Sequence, residues 1–190
     1  MKIIRSLFLV MIVITSVIAC KEKQELITTS VPIDRFWGIG LPYSKLGLMK
    51  TLEEKGYKDT DIEYVEQSDS YGVMNPQFAG TTFDMVTFRM YQNYVMYEAV
   101  FYSVFTPYQY DDAYNLLNNL LNQFAIKYGE PNEIEDSEET SYYWEDKDNN
   151  FILLETEDNQ RISGVYKTVL LRYVNYEYYN KQQEEYIDDI

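Results

Sequence analysis

The chain has no histidine and a single cysteine, and both shortages narrow its chemistry. Without histidine there is no Ser-His-Asp arrangement, no histidine zinc site and no imidazole general base. With one cysteine, no disulfide can form within the chain, so stability rests on an apolar core. Cations are scarce as well: 16 Lys and Arg stand against 31 Asp and Glu, for a formal charge of −15. Such an acidic body repels phosphate backbones, which argues against nucleic acid as a partner. No phosphate loop of the G-x-x-x-x-G-K type occurs, and Gly38-Ile39-Gly40 lacks the third glycine of a dinucleotide fingerprint. No residue is assigned a catalytic role from sequence, and no cofactor is implied. A pair of carboxylates could still serve glycoside hydrolysis, but with so many acids nothing in sequence selects one pair.

What is present begins with an export signal. Residues 1–5 are short and basic, and residues 7–18 are apolar except for Thr15 and Ser16. A permanent transmembrane helix needs about 20 apolar residues. A basic start, a short apolar run and a small residue at its end describe a cleaved signal, here residues 1–19. Val17-Ile18-Ala19-Cys20 resembles the bacterial lipobox, which implies cleavage before Cys20 and lipidation of its thiol. One acyl chain anchors only marginally; lipoproteins of this type carry two or three. Residues 20–30 read as a polar tether. Their charged start resembles the surface-export signal of Bacteroidota lipoproteins, so the expected location is the outer membrane, on the cell surface or facing the periplasm.

Residues 31–180 are long enough for one domain with a substantial core. Ser44 is a candidate N-cap for a helix over 45–55, and Gly47 inside it marks a place where backbones approach closely. The densest β signal lies over 78–106, where two strands, 83–91 and 95–105, flank a turn at 91–94. In the second strand, strict alternation groups Met96 with Val100, Tyr102 and Val104. A strong helix follows over 109–128, with Ala113, Leu116, Leu117, Leu120, Leu121, Phe124 and Tyr128 along one face and Gly129 and Pro131 as its stop. Residues 132–140 read as an acidic loop. Three more strands are expected at 141–145, 151–156 and 165–178, and an acidic tail, at most a frayed helix, at 181–190. The order helix, two strands, helix, three strands predicts an α+β fold: an antiparallel meander with helices packed on one face, in two loose helix-then-strands units.

Gly38-x-Gly40, Glu54-Lys55-Gly56-Tyr57, the run from Phe78-Ala79-Gly80 to Phe88, and Lys127-Tyr128-Gly129-Glu130-Pro131 together resemble small lipoproteins of the Bacteroidota. The resemblance spans most of the chain after the signal but implies no activity and no catalytic residue. In layout alone, the helix-plus-meander unit is similar to β-lactamase-inhibitor-like and BamE-like domains, which bind other proteins.

Two further patterns are worth testing. Asp146-x-Asp148-x-Asn150 with Glu157 matches the oxygen ligands of a calcium loop, although Phe151 stands where that loop needs glycine. A hairpin turn rich in Asp and Asn explains the same residues. The second pattern is the aromatic surplus of 20 Tyr, 9 Phe and 2 Trp. Tyr142, Trp144, Tyr176 and Tyr178 are the binding candidates, because exposed Tyr and Trp suit sugars and protein partners. Strand propensity alone also enriches tyrosine. The function expected from sequence is a lipid-anchored envelope protein without catalysis that binds a protein or a glycan. The alternatives are a carboxylate-based glycan hydrolase and a periplasmic assembly factor.

Overall fold

The two apolar strands predicted on either side of residues 91–94 lie within one large twisted sheet. The computed structural model describes residues 27–136, 139–161 and 164–188. The expected signal, Cys20 and the first part of the expected tether lie outside these residues. The described strands are β1 (Thr28–Thr29), β2 (Arg35–Phe36), β3 (Ile39–Gly40), β4 (Tyr43–Ser44), β5 (Ile62–Val65), β6 (Ser70–Met74), β7 (Gln77–Phe78), β8 (Thr81–Thr82), β9 (Met85–Tyr91), β10 (Val95–Phe105), β11 (Asn132–Asp136), β12 (Glu139–Asp146), β13 (Phe151–Arg161) and β14 (Gly164–Val174). The helices are α1 (Lys45–Glu54), α2 (Tyr110–Tyr128) and α3 (Tyr176–Asp188).

The large sheet runs in the order β1-β12-β13-β14-β10-β9-β6-β5, with β11 also paired to β12 and β4 to the start of β10. Apart from the short parallel contact of β1 with β12, its ladders are antiparallel. The protein is therefore α+β, as the order of elements predicts. Several boundaries differ from the sequence expectation. Thr28 and Thr29 pair with Glu145 and Asp146, so the fold starts inside the expected tether. The acidic segment after α2 is not a loop: β11 pairs back on β12 from Asn132↔Tyr143 to Asp136↔Glu139. The last strand stops at Val174, because Asn175 caps α3 with its side-chain oxygen on the Tyr178 N–H at 3.2 Å. The expected tail is largely this helix.

Side chains alternate across the sheet, so one face can be followed from strand to strand through the register. Tyr71, Phe88, Ala99, Tyr173, Ile152 and Trp144 lie on one face and join the buried core. Helices α1 and α2 and residues 33–41 pack here. Leu48 and Leu52 come from α1, Ala113, Leu117, Leu120, Phe124 and Tyr128 from α2, and Ile33, Phe36, Ile39 and Leu41 from the N-terminal segment. Phe101 sits at the aromatic centre, 4.7 Å from Phe78, 5.2 Å from Phe83, 6.0 Å from Trp37 and 6.2 Å from Phe36 between ring centroids. Each such pair adds about 0.5–1.5 kcal/mol beyond the area it buries.

Gly47 does mark a close approach, but of a side chain rather than of a second backbone. A Cβ on Gly47 would stand 2.8 Å from two ring atoms of Tyr43. The ring of Tyr43 thus lies on the first turn of α1, which Ser44 caps by accepting the Gly47 N–H at 3.1 Å.

Helix α3 lies against the opposite face. Tyr178 meets Tyr91 at 5.7 Å and Tyr179 meets Phe151 at 6.4 Å between centroids. The Tyr91 hydroxyl and the Gln92 amide both donate to Glu185 at 2.7 Å. Tyr91 alternates with the core residue Met90, and Phe151 with Ile152, so both point away from α1 and α2. α3 crosses only the end of this far face where β9 turns into β10.

Candidate functional site: the far face of the sheet

The far face is built from the residues that alternate with the core. Across β6, β9, β10, β14, β13 and β12, one row reads Gly72, Thr87, Val100, Arg172, Leu153 and Tyr143. The next row, farther from α3, reads Met74, Met85, Tyr102, Leu170, Glu155 and Ser141. Met85, Thr87, Tyr102 and Leu153 keep part of their surface in water, and Met74 is 59% exposed.

Toward the α3 end of this face, in the row of Arg89, Val174 and Phe151, is a carboxylate. Glu98 is 0% exposed, and both of its oxygens are held. Oε2 accepts from Arg89 Nη1 at 2.9 Å; Oε1 accepts from Arg172 Nε at 2.9 Å and Nη2 at 2.6 Å. Arg172 also lies 3.9 Å from Glu155. Two cations and two anions form a closed group with no formal net charge. Burial disfavours the charge on Arg172, but the Glu98 carboxylate outweighs that cost and holds its pKa above the ordinary arginine value. Arg89 gives one hydrogen bond to Glu98 and its side chain remains 40% exposed.

A local irregularity of the backbone decides where Glu98 points. The β9–β10 register shifts between Met96 and Glu98, leaving Tyr97 as an extra residue in β10. Strict alternation would put Met96 and Glu98 on the same face, and Met96 is in the core. The bulge turns Glu98 outward and returns Ala99 and Phe101 to the core beside Met96. The sequence expectation that Met96 shares a face with Val100 is corrected for the same reason. The charged network was absent from the sequence-based candidates. Its signal was a lone Glu in β10 with a lone Arg in each neighbouring strand, charges that strands this apolar do not carry unless they are paired.

The aromatic candidates separate in space. Trp144 is 1% exposed and packs against Phe124 at 5.7 Å, with Nε1 donating to the Gly129 carbonyl at 2.8 Å. It is a core residue and offers no ring to a ligand. Tyr142 lies on the same side, opposite the core residue Leu154, and packs half-buried against the core. Alternation instead gives the far face Tyr143, whose hydroxyl donates to Glu145 at 3.0 Å. Burial first, then that hydrogen bond and the Glu145 charge, push the Tyr143 phenol well above its usual range. Tyr176 and Tyr178 lie on α3 rather than on a strand. Tyr176 is exposed near Tyr143, and Tyr178 is half-buried between Tyr91 and Lys181, whose Nζ lies 4.5 Å from its ring centre.

The calcium pattern resolves as a turn. Asp146 is buried, and its Oδ1 accepts from the N–H groups of Asp148 and Asn150 at 2.9 and 3.0 Å. Its Oδ2 accepts from the Ile33 N–H at 2.7 Å and the Asn150 amide at 3.3 Å. The Asn150 oxygen is taken by the Asn175 amide at 2.8 Å. These acceptors are committed to the protein itself. Glu157 lies seven residues along β13, about 20 Å away at the usual strand rise. Among the described residues no cluster of three or more His, Cys, Asp or Glu side chains has metal-binding geometry.

Two grooves flank the far face. One, of about 560 Å³, lies at its β5–β6 corner against Tyr57, Asp61, Glu63, Gly72, Met74 and Met85. The other, of about 290 Å³, lies at the opposite end from α3, between the start of α2 and the last residues of β10, and includes Asp84 and Asp112. Asp84 Oδ2 accepts the Val104 N–H at 2.7 Å, which ties that carboxylate to the backbone of β10.

Comparison of the chain with protein-family models finds no match, and comparisons with curated proteins and with solved structures find none of significance.

Proposed function

We propose that this protein is a non-catalytic binding or scaffold protein, held at the outer membrane by lipid on Cys20, whose far sheet face takes a protein or glycan partner. The observation that supports this reading is the arrangement of that face. A closed charge group around Glu98 fixes the side chains at its α3 end, while Met74, Met85, Thr87, Tyr102 and Leu153 in the rows beyond remain partly in water. Rigid side chains in a partly apolar setting favour binding, because little conformational entropy is lost when a partner covers them. Interfaces are enriched in Tyr, Met and Arg, the residue types gathered here.

The test is photocrosslinking in intact cells. A crosslinkable residue at Tyr102 or Met85 should yield discrete adducts, while one at Ile126, exposed on the outer side of α2, should yield none. Equal adduct patterns at all three positions would overturn the assignment of the face. Cys20→Ala should move the protein out of the membrane fraction, and protease shaving of cells distinguishes surface from periplasmic exposure. The hydrolase alternative would be carried by the Asp84 and Asp112 groove. It requires glycan cleavage that disappears in both Asp84→Asn and Asp112→Asn.

A further inference from the structure

The groove at the β5–β6 corner has features that specify a ligand class. Its floor is Gly72, in the second strand from the edge, where the absent side chain leaves a hollow between neighbouring strands. A Cβ there would meet only ordinary contacts, at 3.9 Å from the Glu63 carbonyl and from the Met85 sulfur. The hollow is thus not forced by crowding. Tyr57, Met74 and Met85 line it together with the acids Asp61 and Glu63, and one Asp61 oxygen accepts the Lys58 N–H at 2.8 Å. Among the described residues no cation pairs with either carboxylate. A volume of about 560 Å³ is the size of a side-chain or small-ligand site.

Beside this hollow the sheet ends. Among the described residues β5 is the last strand of the sheet, paired with β6 from Ile62↔Val73 to Val65↔Ser70. An edge strand presents alternate N–H and C=O groups outward, ready to accept another extended chain. The acids Asp59, Asp61, Glu63 and Glu66 flank or belong to this edge, in a chain whose formal charge is −15.

We infer that β5 receives an extended basic segment of a partner protein, which adds to the sheet edge through its main chain and places a Lys or Arg side chain in the groove floored by Gly72. The aliphatic stem of that side chain would lie along Met74, Met85 and Tyr57, and its cationic end would meet Glu63 and Asp61. Main-chain pairing supplies affinity that depends little on sequence, and the acidic groove selects for a basic residue. The inference extends the binding role proposed above to a defined partner chemistry at one corner of the same face.

The test pans a random heptapeptide display library against the detergent-solubilised full-length protein. The expected enrichment is for peptides with Lys or Arg among β-branched residues. The best peptide should bind at least tenfold more weakly to Gly72→Leu and to Glu63→Lys, while both variants keep the parent melting temperature to within a few degrees. The same peptide N-methylated at alternate residues should also lose binding. Enrichment of peptides without a basic residue, no enrichment, or binding that survives Gly72→Leu would each overturn the inference. So would unchanged binding of the N-methylated peptide, since that excludes strand addition. Crosslinks at Tyr102 with no basic enrichment would leave the far-face proposal standing and remove only this one. Basic enrichment without crosslinks would do the reverse.

Discussion

The same strands build two unlike faces. On the side of α1 and α2, β9, β10, β13 and β14 contribute Phe88, Phe101, Leu154, Leu171 and Tyr173 to a continuous apolar core. On the other side, the same four strands contribute Arg89, Glu98, Glu155 and Arg172 to a charge group whose central carboxylate is as buried as the core. Burial alone therefore does not distinguish the faces; what differs is how the buried atoms are satisfied. The core relies on area removed from water and on ring packing, and tolerates no unpaired charge. The far face relies on mutual satisfaction, so its members matter as a set rather than singly.

The largest expected effect is on the packed face. Leu120→Asp places a carboxylate with no partner at the middle of α2, where Leu120 is fully buried, and should abolish cooperative unfolding as followed by circular dichroism. A cooperative, soluble variant would mean that α2 does not rest on the core.

Next comes the charge group. Glu98→Ala should cost about 3 kcal/mol, because it strands two arginines on a partly buried surface. The triple variant Glu98→Leu, Arg89→Met and Arg172→Met should recover most of that loss, as replacement of a whole buried ion network often does. Urea denaturation of the two variants decides the matter. If the triple variant is weaker than Glu98→Ala, the network is not acting as a set.

Asp146→Ala should cost about 2 kcal/mol, since it leaves the buried Ile33 and Asn150 donors unpaired. Chelation should leave the melting temperature of the parent protein unchanged, and a clear drop would restore a metal to this turn.

The smallest effect concerns pH. The folded state holds the Tyr143 proton that the unfolded chain releases near the ordinary tyrosine value. The stabilisation is complete below about pH 10 and is lost as pH rises through the raised value. Tyr143→Phe should flatten the fall in melting temperature between about pH 9 and pH 11. An unchanged slope would mean that the phenol is not held neutral by its surroundings.

Much of the packed face was legible in the linear chain. The 3,4 spacing of α2 named Ala113, Leu116, Leu117, Leu120, Leu121, Phe124 and Tyr128; five of these are buried, and Leu116 and Leu121 pack half-buried against the core. Gly47 announced a close approach, and the Tyr43 ring rather than a second backbone supplies it. The far face was far less legible. Tyr142 and Trp144 were chosen for their aromatic character, but which of three consecutive rings points outward depends on register, and register selected Tyr143. Tyr176 and Tyr178 were placed on a strand because the aromatic run continues past Val174, whereas the Asn175 cap ends that strand and begins a helix.

Periodicity and composition determined, without any coordinates, that the chain is α+β, that α2 is amphipathic and that histidine chemistry is excluded. These follow from local rules: side-chain spacing, capping residues and residue types present or missing. Only the tertiary structure decided which strands are neighbours, that α3 crosses the face opposite α1 and α2, and that Glu98 points away from the core. The last of these turns on one bulged residue, Tyr97, which inverts the alternation on either side of it. A single inserted residue leaves the hydrophobic pattern almost unchanged, yet it moves a carboxylate from the core face to the far face, where Arg89 and Arg172 meet it.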